Sequence, residues 1–271
     1  MNIVGTGQIS NSNLLDQDGV VLLSNCIDRN MIEDVHKQYN FLDQHISRTE
    51  IEKDKPIVVF WRHVAGEQKR LTNFEEFPTL WELINKNIVP TLRKEFPGRT
   101  KKLQLLETII FNKPPLISNT LNWHQDVAYF PLKPNNQIAV WIPFEFVNKR
   151  RSAMVYAIGS HKFGIRASIN LHTREKFSND DREEIPENPS ASGFEERSME
   201  MHPTDMLVHD GFTWHYTGPN LEEGYNRKGL SVRFIVEEAV FDPRPGQGAA
   251  FTKQIDVNSG DVIRGAPFPD L

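Results

Sequence analysis

Two histidines and one carboxylate stand out by type and order. Trp123-His124-Gln125-Asp126 comes first, and His215 follows 89 residues after Asp126. In a strand, side chains two apart share a face, so His124 and Asp126 point one way and Gln125 the other. An imidazole and a carboxylate on one face can both reach a single metal ion. A His-x-Asp triplet alone is common, and its plainer reading is a hydrogen-bonded surface pair. His215, between Trp214 and Tyr216, has a plain reading too, that of a packed histidine. Together they match the two-His, one-carboxylate facial set of non-haem Fe(II) oxygenases, which leaves adjacent coordination positions open. Arg227 stands twelve residues after His215. Its guanidinium fork suits a carboxylate, against the plainer reading of a solvated Arg beside Lys228. Arg233 is a rival for the same task.

The elements that must position these groups read as mixed at first and then as β. Val20-Val21-Leu22-Leu23 is a short apolar strand after an Asp-Gly turn. Asp28 is a helix N-cap for about 30–42, with Met31, Ile32, Val35 and Tyr39 on one face. Residues 78–95 have helical spacing broken by Pro90. After residue 100 come short strands at 103–112, 122–130, 137–147, 153–158, 205–209, 213–217 and 229–237, separated by Gly, Pro and Asn turns. That texture predicts a mainly β fold, a sandwich or jelly-roll barrel, with helices covering one sheet face. The stretch 165–200 is polar and long for a compact β domain, which marks it as a lid or an insertion. The tail, 246–271, reads as irregular.

The motifs then carry a resemblance. Phe111-Asn112-Lys113-Pro114-Pro115, Trp123-His124-Gln125-Asp126-Val127-Ala128-Tyr129, Trp141 in AVWIPFEFV, Ala157-Ile158-Gly159-Ser160-His161, His215-Tyr216-Thr217-Gly218-Pro219-Asn220 and Arg227-Lys228-Gly229-Leu230-Ser231 follow one another in this order. The chain from about Asp18 to Phe234 resembles the phytanoyl-CoA dioxygenase family of Fe(II)/2-oxoglutarate-dependent oxygenases. The resemblance implies a double-stranded β-helix, cupin-like core in a single domain over 1–271. A helix-rich part, 1–100, would pack on a core of 100–245. It implies that His124, Asp126 and His215 bind Fe(II), and that Arg227 pairs with the distal carboxylate of 2-oxoglutarate, helped by Thr217. Gln125 and Trp141 would line the cosubstrate side, with Asn112 a further candidate. With O2, such an enzyme hydroxylates an unactivated C–H bond of a small molecule and converts 2-oxoglutarate to succinate and CO2. Ile158 stands where the family usually has Pro, and Arg150-Arg151-Ser152 replaces its usual Asn-Gly.

Composition bounds the alternatives. The chain has 271 residues, 38% hydrophobic and 25% charged, with net charge −5. That is ordinary globular usage and gives no global basis for nucleic-acid binding. Cys26 is the only cysteine, which excludes an internal disulfide and Cys-based zinc sites and fits a reducing compartment. No apolar run approaches the ~20 residues of a membrane span, and the first residues show no signal-peptide pattern. The expectation is a cytoplasmic enzyme. A halogenase would need a vacancy where Asp126 stands. A zinc hydrolase with the same three ligands, or a non-catalytic jelly-roll binder, are the other classes, and both leave Arg227 and Thr217 without a task. Among the remaining groups, His161 fits a turn, His209 a structural role, and His172 and His202 the surface. Trp61-Arg62-His63 is a candidate substrate contact or a helix or strand packed on the barrel, Arg166, Arg174 and Lys176 are candidates for an anionic substrate, and Asp180–Glu184 reads as a solvated face.

Overall fold

The computed structural model describes residues 9–45, 58–64, 77–116, 120–177, 180–243, 257–264 and 268–271. The strands are β1 (Val20–Leu23), β2 (Val58–Val64), β3 (Gln104–Lys113), β4 (Leu121–His124), β5 (Leu132–Lys133), β6 (Gln137–Pro143), β7 (Met154–Ala157), β8 (Glu196–Ser198), β9 (Met206–Asp210), β10 (His215–Thr217), β11 (Arg227–Ile235) and β12 (Val240–Phe241). A six-stranded sheet runs β1-β9-β6-β11-β3-β2 and a four-stranded sheet β4-β10-β7-β8. Every pairing is antiparallel, and the two facing sheets make the expected jelly roll.

Alternation along β11 shows how the layers form. Leu230, Val232 and Phe234 join one apolar cluster with Ile32, Val35 and Tyr39 of α2 (Arg29–His45), the helix after α1 (Asn11–Asp18), and with Leu80, Leu83, Ile88 and Leu92. The side chains between them, from Arg227 to Arg233, face the other way, between the sheets. The helices therefore cover the outer face of the large sheet, as expected. Asp28 caps α2, accepting from Asn30 N at 2.8 Å and Met31 N at 3.2 Å. Pro90 does not break the 78–95 helix. Pro78–Leu83 and Val89–Glu95 are joined by a π-helical turn over Ile84–Ile88, a wider turn that absorbs the missing N–H.

Two expected strands are shorter than their apolar runs. The 122–130 strand stops at His124, and Asp126–Tyr129 is a 3-10 turn. Gln125 between them is extended, with φ −130° and ψ 144°, so the side chains of His124 and Asp126 still point one way. The 137–147 strand ends at Pro143.

The 165–200 stretch, where described, is packed against the small sheet. Ile185 and Phe194 join Trp123, Val155, Ala157 and Trp214 in a cluster on the outer face of the small sheet, and β8 extends that sheet. Asp180 is buried, against the expectation of a solvated run. It accepts from Ser168 N at 2.8 Å and Arg182 Nε at 2.7 Å, and although burial raises its pKa, these donors bring it down to about 2. The tail is irregular where described, yet Phe268 packs with Leu106, Phe130 and Ile235. Side chains of Trp61, Arg62 and His63 lie outside the described residues. Among those described, no helix is long and apolar enough to cross a membrane.

Candidate metal centre and carboxylate pocket

His124, Asp126 and His215 converge between the sheets, with ligand atoms within 4.8 Å of one another and all three residues buried. His215 faces His124 directly across the β10–β4 pair, and their rings are 4.2 Å apart. Each imidazole has its δ nitrogen against a backbone carbonyl: His124 Nδ1 at 2.7 Å from Asn122 O, His215 Nδ1 at 2.9 Å from Thr213 O. That fixes the proton on Nδ1 and leaves the Nε2 lone pair for a ligand role, the arrangement seen around metal-binding histidines. Burial pushes both imidazole pKa values down, and for His215 the neighbouring His124 adds to this. Both rings are thus neutral, as metal binding requires. Burial works against the Asp126 carboxylate charge, but Arg233 and the hydrogen bond from His209 outweigh it and hold its pKa well below the usual range. Two neutral nitrogens and an ionised oxygen, in a dry pocket, fit a divalent cation.

The two arginines differ in their partners. Arg233 is committed: Nη1 donates to Glu107 Oε2 at 2.6 Å and Nη2 to Asp126 Oδ1 at 2.8 Å. Arg227 is buried, yet its Nε and Nη2 find no hydrogen-bond partner among the described residues. Burial brings its pKa down to about 10. A buried fork with unused donors is costly without an acceptor, and a carboxylate supplies two in the right plane. The Trp141 ring lies under it, with Cζ 4.5 Å from the ring centre. Gly229 makes room for that ring, since a Cβ there would come within 2.7 Å of the indole.

The rest of the pocket corrects two expectations. Asn112 sits on the wrong face. It is registered with Lys228, whose ammonium lies over Tyr39 on the helix side, so alternation turns the next residue, Lys113, inward. Lys113 is fully buried and donates to Ser152 Oγ at 3.0 Å, to Gly218 O, and to Thr217 Oγ1 at 3.4 Å. Burial, then repulsion from Arg227, lowers its pKa to about 7. Sequence reasoning missed this lysine. Its signal was one residue of strand phase in Phe111-Asn112-Lys113, which only the register resolves. Gln125 is the second correction. Its Nε2 donates to Phe212 O at 2.9 Å and Gly164 O at 3.2 Å, and its Oε1 accepts from Arg166 N. Its amide clasps three segments and does not face Arg227.

His161, His172, His202 and His209 fall as expected, with one addition. His161 lies in a 3-10 turn beside Asp16 O, and His172 and His202 are exposed. His209 is structural in position but touches the site, with Nε2 3.2 Å from Asp126 Oδ2.

A family model described as phytanoyl-CoA dioxygenase matches residues 15–229. The chain is 23% identical to a probable phytanoyl-CoA dioxygenase of Caenorhabditis elegans, over 82% of this chain and 73% of the worm protein. It is 24% identical to the peroxisomal phytanoyl-CoA dioxygenase of Homo sapiens, over 63% of this chain and 51% of the human protein, so the match spans about half of that relative. Among solved structures, the epimerase SnoN in complex with Fe3+, alpha ketoglutarate and nogalamycin RO superposes with a TM-score of 0.70 at 16% identity, covering 96% of each chain.

Proposed function

The chain belongs to the phytanoyl-CoA dioxygenase family of Fe(II)/2-oxoglutarate-dependent oxygenases, and we propose that it hydroxylates an unactivated C–H bond of a small molecule. In this reading His124 Nε2, His215 Nε2 and one Asp126 oxygen hold the Fe(II). Arg227 receives the distal carboxylate of 2-oxoglutarate, with Lys113 and Thr217 beside it and Trp141 beneath the guanidinium. The observation that carries it is the buried Arg227 fork with unused donors, in one interior with three converged metal-type ligands. When bound, the iron and its cosubstrate supply the oxidation: 2-oxoglutarate, O2 and R–H become succinate, CO2 and R–OH.

The chain's own residues orient and exclude. Asn122 O and Thr213 O fix the tautomers of the two histidines. The apolar cluster around Trp141, Met154, Tyr156 and Leu207 fills one side of the interior and keeps water from it. Hydrolysis at a zinc-bound water would give the buried Arg227 and Lys113 nothing to bind, and Asp126 stands where a halogenase needs a vacancy. We read the chain as one oxygenase domain. The chain's single cysteine, Cys26, fits a reducing compartment, and we read its setting as cytoplasmic.

The test is 2-oxoglutarate-dependent succinate formation across a panel of small molecules, with a one-oxygen mass gain in the product. His124→Ala and His215→Ala should lose it while staying folded. Full activity in either variant would remove the ligand assignment.

A further inference from the structure

Asp126 is gripped at both oxygens, by groups that the proposed reaction leaves without a part. Arg233 Nη2 donates to Oδ1 at 2.8 Å while Nη1 of the same fork donates to Glu107 at 2.6 Å. On the other side His209 Nε2 is 3.2 Å from Oδ2, and His209 Nδ1 is 3.2 Å from the Tyr156 hydroxyl. Asp126, Glu107, His209 and Tyr156 are all buried, and the Arg233 side chain is 11% exposed. The sheet builds this grip. Arg233 and Glu107 are cross-strand partners on β11 and β3, and the register slips immediately after Arg233.

The grip has a reason in the local backbone. β4 ends at His124, so Asp126 opens a 3-10 turn instead of sitting in a paired strand. A carboxylate that serves as a ligand there must be held in one orientation. Oδ1 faces the ligand set, 3.9 Å from His215 Nε2, and it is the oxygen that Arg233 holds. An uncompensated guanidinium there would repel a dication, but Glu107 balances its charge.

We propose that Arg233, itself held by Glu107, is a positioning residue that presents Asp126 Oδ1 to the metal, with His209 and Tyr156 fixing Oδ2. This rests on the reading of His124, Asp126 and His215 as the metal ligands. Arg233 acts through Asp126, and Glu107 acts through Arg233. Removing Arg233 alone would leave two buried carboxylates facing each other, so the informative changes either keep its charge or remove both charges together.

The test is Co(II) binding to the full chain without oxygen or substrate, read by titration and by the visible Co(II) band. Arg233→Lys keeps the charge but cannot span two carboxylates with a planar fork. Arg233→Met with Glu107→Leu removes both charges. Partners of metal ligands typically matter by about 10- to 100-fold in affinity. Arg233→Lys should weaken Co(II) binding toward the lower figure, the double change toward the upper one, each with a shifted band and an unchanged circular dichroism spectrum. If the double change prevents folding, Arg233→Lys decides alone. Parent-like affinity and band shape in Arg233→Lys, beside a strong loss in Asp126→Ala, would overturn the positioning role and leave the ligand assignment standing. Parent-like Co(II) binding in Asp126→Ala would instead overturn the ligand assignment and this inference with it.

Discussion

Lys113 illustrates how one buried side chain ties binding to pH. Its pKa falls from 10.5 to about 7 because burial and Arg227 oppose the charged form. The sign follows directly. The penalty on the fold is fully present below about pH 7, where the lysine is charged in both states, and it fades as pH rises toward 10.5. A carboxylate arriving at Arg227 offsets the guanidinium charge and favours the ammonium. Binding of 2-oxoglutarate near pH 8 should therefore take up close to one proton, and near pH 6 almost none. Calorimetry in two buffers of different ionisation enthalpy measures this, with Lys113→Met as the control. Buffer-independent heats at pH 8 in the parent protein would contradict it. Asn112 and Lys113 also mark where sequence reading fails at this scale. Both are polar residues at the end of one strand, and only the pairing of Lys228 with Asn112 fixes which of them faces inward. Glu107 was similarly hidden: a lone carboxylate in an apolar run needs a partner, but nothing local names Arg233.

At the scale of elements, several strands and the Asp28 helix cap were readable because periodicity and turn residues act locally. Asp28 caps α2 as expected, and β1, β3, β7 and β9 fall within a residue or so of their apolar runs. Pro90 and the 165–200 stretch were not readable, because their outcome depends on what packs against them. A π turn just before the proline keeps the helix continuous. A polar stretch becomes ordered when a few apolar members, Ile185 and Phe194 among them, meet the outer face of the small sheet. Its first part is also stitched beside the site: Asn122 N donates to Leu171 O at 2.9 Å and the Tyr129 hydroxyl to Ile169 O at 2.8 Å. Ala167 N donates to Glu183 O at 2.8 Å. The account predicts that amides of Ala167, Ser168 and Ile169 are protected from hydrogen exchange without substrate. Rapid exchange there, with protection only after substrate is added, would restore the mobile-lid expectation.

Across the whole molecule, the proposed ligand set was legible earlier than the fold that serves it. His124, Asp126, His215 and Arg227 are set by residue type and chain order, which the sequence displays. Their supports are long-range: β10 brings His215 opposite His124, and β11 carries both the empty fork of Arg227 and the committed fork of Arg233. The central claim is that one interior holds a metal ion and a 2-oxoglutarate carboxylate together. Anaerobic titration with Fe(II) and 2-oxoglutarate tests it most directly, through the weak visible charge-transfer band of the chelate. The parent should develop the band. Arg227→Ala truncates one partner of a buried charged pair, a loss of ~2–5 kcal/mol, so it should need about 1.5 to 3.5 decades more 2-oxoglutarate. Arg227→Lys should recover only part. No band in the parent, or a band in Arg227→Ala at parental 2-oxoglutarate concentration, would contradict the account.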